Sequence, residues 1–338
     1  MASAGITPFN QWGSVQLYVA MESSSEKDDI SQLYPSIELT TTLLPGFPMI
    51  HEVYRKLRDQ RDMVCGAYAL TYLLRAFGIA ECNGVPVTVD SVAATAGSAL
   101  EPHNAERLAT VRAAINAGDV PEERAREWYL HDQFDYELAT AEEGGTSPKG
   151  LKIAATMASE ETIAVVPVPA THRDEPQFTP ERFSTLINAL VSGEIPAQPI
   201  LNYNLQHTLA PTGLLGHKYN IISILTQWDE PEYFRTYDWD VGHFTTLAGR
   251  FALSGANERY LLIRDSYRTF GQNGYHLQPE SYIHRGLVRA DDERDGGMLL
   301  LTSAGERETV QSWLHDRNIV TGLWDNGSSY RPQTNPFI

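Results

Sequence analysis

The chain has 338 residues, 42% apolar and 20% charged, the proportions of an ordinary globular protein with ample length for a core. Its net charge is −17, from 26 Lys and Arg against 43 Asp and Glu. Without a basic stripe, neither nucleic acid nor an anionic membrane is expected as a partner. Two cysteines form no disulfide framework or zinc spacing, and the sequence shows no secretory leader and no apolar run near the ~18 residues of a membrane span. A reduced, cytoplasmic protein is expected.

Residues 1–50 are weakly patterned and are expected to pack on a domain rather than form one. "MESSSEKDDISQ" reads as a polar loop and "IELTTTLLPGF" as one strand. From Met63 the period becomes helical through Ala67, Leu70, Leu74 and Phe77, with Gly78 as the stop. "NAERLATVRAAINAGD" reads as a helix, and residues 121–145 as a second, acidic one. "TSPKGLKIAATMA" is a third, capped by Thr146 or Ser147 with Pro148 in its first turn. "TIAVVPVPA" is a strand, and "TPERFSTLINALVSGEIP" is an amphipathic helix from the Thr179 cap to Gly193.

After Pro196 the texture turns to β. "PAQPILNYNL", "HKYNIISIL", "YFRTYDW", "HFTTLAGRFAL" and "RYLLIRDSY" are short runs rich in β-branched and aromatic residues. "SSYRPQTNPFI" reads as a surface tail. Helices first and strands second predict an α+β fold.

The chemistry centres on Cys65, which opens the Met63 helix. A helix N-terminus, a nearby imidazolium and partial exposure all favour the thiolate that acts as a nucleophile. Cys82, past the helix end, lacks that help. Among ten histidines, His243 follows Gly242 at a strand start, and the next strand closes on Asp265. In an antiparallel pair those two ends lie side by side, so the carboxylate can orient the imidazole. Gln60, on the segment entering the helix, is the candidate oxyanion donor together with the Cys65 N–H.

Rival readings stand beside these. His217 and His207 also lie at strand ends, and Asp238 or Asp240 stands near enough in sequence to orient His243. Tyr237, Trp239 and Phe244 are candidates to wall the imidazole from water. "GGTSP" is a helix cap or a substrate loop. His103, His131, His172, His276 and His284 show no metal-ligand spacing, and there is no phosphate loop, so neither metal nor cofactor is expected.

"QRDMVCGAYALTYLLRAFG" and "GHFTTLAGRFALSGANERYLLIRDSY" resemble the nucleophile and histidine blocks of papain-like cysteine peptidases, most closely the C39-like branch. "FSTLINALVSGEIPAQPIL" and "GGTSPKGLKIAATMA" are similar to the elements between them. The resemblance covers about residues 55–270. It implies Cys65 as nucleophile, His243 as base, Asp265 as orienting carboxylate and Gln60 as oxyanion donor. Val64 stands where transporter-linked members carry an acidic residue, and no ATPase cassette follows, so a leader-cleaving exporter is not expected.

The expected architecture is therefore a papain-like α+β domain over residues 51–300, a helical lobe headed by the nucleophile helix and packed on an antiparallel sheet. A helical insert at about 83–145 lies outside the family pattern, and residues 301–338 are a C-terminal tail. The expected activity is a peptidase or amidase with a Cys-His-Asp triad, acting on a peptide, amide or thioester. An acyltransferase or amide synthase with the same triad and a non-catalytic peptide-binding module remain open, as does the oligomeric state.

Overall fold

The computed structural model describes residues 15–16, 39–61, 63–99, 102–119, 121, 143–173, 175–209, 240–253, 259–289, 294–331 and 335–338. The acidic helix expected in 121–145, the strands expected at 217–225 and 233–239, His131, His217, Tyr237, Asp238 and Trp239 lie outside them. So does the loop expected at 21–32.

Two short strands, β1 (Val15–Gln16) and β2 (Leu39–Leu43), lead to α1 (Phe47–Tyr54) and α2 (Cys65–Ala76). The hairpin β3 (Glu81–Cys82) and β4 (Val85–Pro86) precedes α3 (Val89–Thr95), α4 (Pro102–Ala117) and α5 (Pro148–Ala158). Then come β5 (Ile163–Pro169), the small hairpin β6 (Thr171–His172) and β7 (Glu175–Pro176), α6 (Pro180–Ser192) and β8 (Gln198–Asn204). The chain continues through β9 (Gly242–Leu253), β10 (Arg259–Arg264), β11 (Tyr275–Pro279), α7 (Glu280–Val288), β12 (Gly297–Ser303) and α8 (Arg307–His315). Among the described residues every strand pairing is antiparallel, and the fold is α+β.

An eight-stranded sheet organises the molecule around β9. This strand pairs with β10 along its length, with β8 near its start (Tyr203 opposite His243) and with β2 near its end (Thr41 opposite Phe251). Alternation sorts the side chains onto two faces. On β12, Leu299 and Leu301 join one core with α1, α2, α3 and α5, while Met298 and Leu300 join the other with α6, α7 and α8. Helices thus cover both faces of the sheet, where the sequence pattern suggested one helical lobe.

Local side-chain caps set three of the helix starts. Ser147 accepts a hydrogen bond from the Gly150 N–H, so it and not Thr146 caps α5. Thr179 does the same for α6, which ends at Gly193 in the left-handed conformation. Thr88 and Ser91 form a reciprocal capping box on α3.

Two expectations about organisation change. Residues 87–99, assigned to the insert, are core: Val92 and Ala93 are fully buried and pack with α2. Residues 301–338 are more than a tail, since they complete β12, form α8 and bury Trp313, Leu314, Trp324 and Phe337. The second departs from the reading of "SSYRPQTNPFI" as surface, because Phe337 docks in the α2 core and its carbonyl accepts from Asn83 Nδ2.

A β-carbon at Gly150 would stand 2.0 Å from the Ala96 carbonyl oxygen, so α5 meets the end of α3 only because that position is bare. Gly150→Ala is expected to cost about 1–3 kcal/mol through forced separation of these segments. Urea unfolding of the two proteins checks it; an unchanged midpoint would sink the close-approach argument.

Candidate active site

α2 is buried on nearly every side from Gly66 to Leu74, which marks it as a core helix rather than a surface one. Leu70, Leu73 and Leu74 are fully buried, each stabilising its place by about 1.5–3 kcal/mol. Cys65 at its mouth is half-buried. Val64 offers no side-chain cap, so the first-turn N–H groups that any helix leaves unpaired receive none from it. Gly66 explains the tight seat: a β-carbon there would come 2.9 Å from Leu151 of α5 and 3.2 Å from Phe244 of β9.

His243 is the second residue of β9, 3% exposed. Arg264 pairs with Thr246, so the next residue, Asp265, arrives diagonal to His243 at the same end of the sheet. The His243 Nε2–H donates to Asp265 Oδ1 at 3.0 Å. With Nε2 so engaged, Nδ1 is the nitrogen left to face Cys65, whose nearness to the ring helps to raise the His243 pKa. The imidazole thus stands between the Cys65 sulfur and the Asp265 carboxylate.

Electrostatics reinforce the geometry. Burial alone would lower the His243 pKa, but the Asp265 carboxylate overrides it by charge and hydrogen bond, with help from Cys65, and pushes it up to about 10. Burial would raise the Asp265 pKa, and His243 and His276 together hold it well below the usual carboxylate range. Asp265 also accepts from the Tyr267 N–H at 2.9 Å, while the Tyr267 ring stacks on His243 at 5.4 Å between centroids.

A set of staples draws the helix mouth to the end of β10. The Gln60 N–H donates to the Ser266 carbonyl at 3.1 Å, and the Arg268 N–H to Asp59 Oδ1 at 2.6 Å. Arg268 Nη1 donates to the carbonyls of Tyr54 and Leu57, and its guanidinium lies 4.5 Å over the Tyr54 ring. The Tyr54 hydroxyl donates to the Asp265 carbonyl at 2.6 Å. These contacts tie residues 54–60 to residues 265–268, two segments separated by over two hundred positions. Beside them Arg264, 1% exposed, lies among Phe47, Tyr54, Tyr72 and Tyr275.

Cys65, His243 and Asp265 are thus brought together, and Gln60 is pinned by its backbone to the residue after Asp265. Its side-chain carbonyl oxygen is buried without a hydrogen-bond partner, and among the described contacts none joins its amide to Cys65. Asp240 does not orient His243; it accepts from Asn204 Nδ2 at 2.6 Å and from Arg294. His207 ends a short 3-10 turn after β8. Phe244 packs on Gly66 rather than on the imidazole, which Tyr267 covers instead.

Cys82 is 4% exposed; burial first, then the charge and hydrogen bond of Glu160, push its thiol pKa up. "GGTSP" supplies the Ser147 cap, and Gly144 and Thr146 accept from Ser328 and Asn326 of the C-terminal segment. Among the described residues no cluster of His, Cys, Asp and Glu suits a metal ion, and no helix is long and apolar enough to cross a membrane. Sequence reasoning missed Tyr267, Arg268 and His276. Only His276 carried a local signal, its alternation with Gln278 on β11. No curated protein matches the chain. Residues 44–325, which hold every member of the relay, match the model of a family of unknown function, DUF6885, and the chain belongs to that family.

Proposed function

We propose that this protein is a cysteine-dependent acyl-transfer enzyme of papain-like, C39-like type, working as a peptidase or amidase. The observation that carries the reading is the buried His243–Asp265 pair, hydrogen-bonded at 3.0 Å, with the half-buried Cys65 beside the imidazole. With its pKa at about 10, His243 already carries the Nδ1 proton at neutral pH, and the Cys65 sulfur attacks the carbonyl carbon of a peptide, amide or thioester. The carbonyl π pair moves to oxygen, held by the Cys65 N–H at the helix mouth and by Gln60 if its amide turns toward the sulfur. Collapse breaks the bond to the leaving group, which takes the proton from His243 and leaves an acyl-thioester on Cys65. Water, deprotonated by His243, then releases the acid and restores the thiol.

An amine acceptor in place of water gives an amide by the same steps, so the acyltransferase reading differs only in the second substrate. Two free cysteines and a thiol nucleophile suit a reducing compartment such as the cytoplasm.

The test begins with iodoacetamide at pH 6 and peptide mapping. Cys65 is expected to label at least tenfold faster than the buried Cys82. Incubation with activated esters and peptide thioesters, followed by intact mass, should then reveal an adduct on Cys65 that is absent from Cys65→Ala. Loss of the adduct to water or to added amine separates hydrolase from transferase. Equal labelling of both thiols, with no adduct, would leave a non-catalytic binding module as the better account.

A further inference from the structure

Asp265 is shared by two histidines. Its Oδ1 faces His243, and its Oδ2 lies 3.2 Å from Nε2 of His276, a buried side chain on β11. The register sets this up. His276 pairs with Ile263, two residues before Asp265, so both project from the same face at the same end of the sheet.

The protonation pattern of His276 follows from its other neighbours. Gln278 lies two residues on, hence on the same face of the strand. Its Nε2 donates to the Leu209 carbonyl at 2.8 Å, and its Oε1 accepts from the Leu209 N–H at 2.9 Å. That double clasp fixes which end of the amide is nitrogen. The nitrogen end lies 3.1 Å from His276 Nδ1, so Nδ1 must accept. The ring proton then sits on Nε2 and points at Asp265 Oδ2. Leu209, Gln278, His276 and Asp265 form a directed chain ending at the carboxylate that His243 uses.

We infer that His276 is a positioning residue for the relay, a donor that locks the Asp265 carboxylate plane and leaves Oδ1 aimed at His243. A carboxylate held from one side only can rotate about its Cβ–Cγ bond and carry the imidazole with it. Clamped through both oxygens and through the Tyr267 N–H, it cannot. The inference rests on the proposed function.

The test uses the full chain and the rate of Cys65 alkylation by iodoacetamide at pH 6. Loss of a hydrogen bond to a charged group predicts that His276→Leu slows labelling about tenfold or more. His276→Gln, which still offers an N–H to Asp265, should stay within about threefold of the wild type. In an Asp265→Asn background His276→Leu should change the rate less than about twofold, because residues acting through one group are not additive. Wild-type rates in His276→Leu, or an equal loss in both backgrounds, would overturn the inference. If His276→Leu does not fold, His276→Asn takes its place: its amide falls short of Asp265, so it should slow labelling where Gln does not, and equal rates would overturn the idea. A wild type whose Cys65 labels no faster than Cys82 instead overturns the proposed function itself.

Discussion

Replacing His243 by Ala is expected to slow both Cys65 alkylation and ester turnover by about 10²- to 10⁴-fold, the usual contribution of a positioned base. The imidazole hydrogen-bonds Asp265 and lies beside Cys65, so its removal breaks the link between them. Because β9 pairs with β8 and β10 through its backbone, a far-UV circular dichroism spectrum like that of the wild type separates this loss from unfolding. Second-order rate constants for iodoacetamide and kcat/KM for an activated ester provide the measurement. Asp240→Ala serves as the control, since that carboxylate binds Asn204 and Arg294 away from the imidazole. A His243→Ala enzyme that labels and turns over at the wild-type rate would remove the basis of the mechanism.

The second large effect is on stability. His243 has a folded pKa raised to about 10, against about 6.5 in an unfolded chain. Its contribution is therefore complete below about pH 6.5 and is lost as pH rises toward 10. Asp265 is shifted the other way, below the ordinary carboxylate value. Its contribution is present above about pH 4 and is lost only as pH falls through its lowered folded value. The pair stabilises most between about pH 4 and 6.5, and above that window the unfolding free energy should fall by up to about 1.4 kcal/mol per pH unit. Asp265→Asn should flatten this alkaline slope and, by breaking a buried pair, lower stability near pH 6 by about 3–5 kcal/mol. Urea titrations at intervals from pH 5 to 10 decide it. A slope shared by wild type and variant would show that the pair does not carry the dependence.

Elements whose ends are marked by local chemistry were legible from the residues. Thr179 and Gly193 bracket α6, Ser147 and Pro148 open α5, and the strand from Gly242 to Leu253 shows as a run of β-branched and aromatic residues. α3, α7 and α8 were not, because none combines a long apolar period with a clear stop. α8, for example, buries only Val310, Trp313 and Leu314. β11 was hidden for a related reason. "YHLQP" shows little β-branching, and its polar His276 and Gln278 are buried because they satisfy one another, Leu209 and Asp265.

The candidate site divides in the same way. That Cys65 opens a helix, and that His243 and Asp265 lie at adjoining ends of a strand pair, follow from local pattern, since capping, periodicity and antiparallel geometry act over a few residues. That the helix mouth meets the imidazole depends on Arg268, Asp59, Gln60 and Tyr54 joining segments over two hundred positions apart. So does the clamping of Asp265 by His276 and the covering of His243 by Tyr267. Hydrogen bonds and ring contacts between distant segments leave no period in either segment. Only the packed sheet, by fixing register and bringing its strand ends together, decides which side chains face one another.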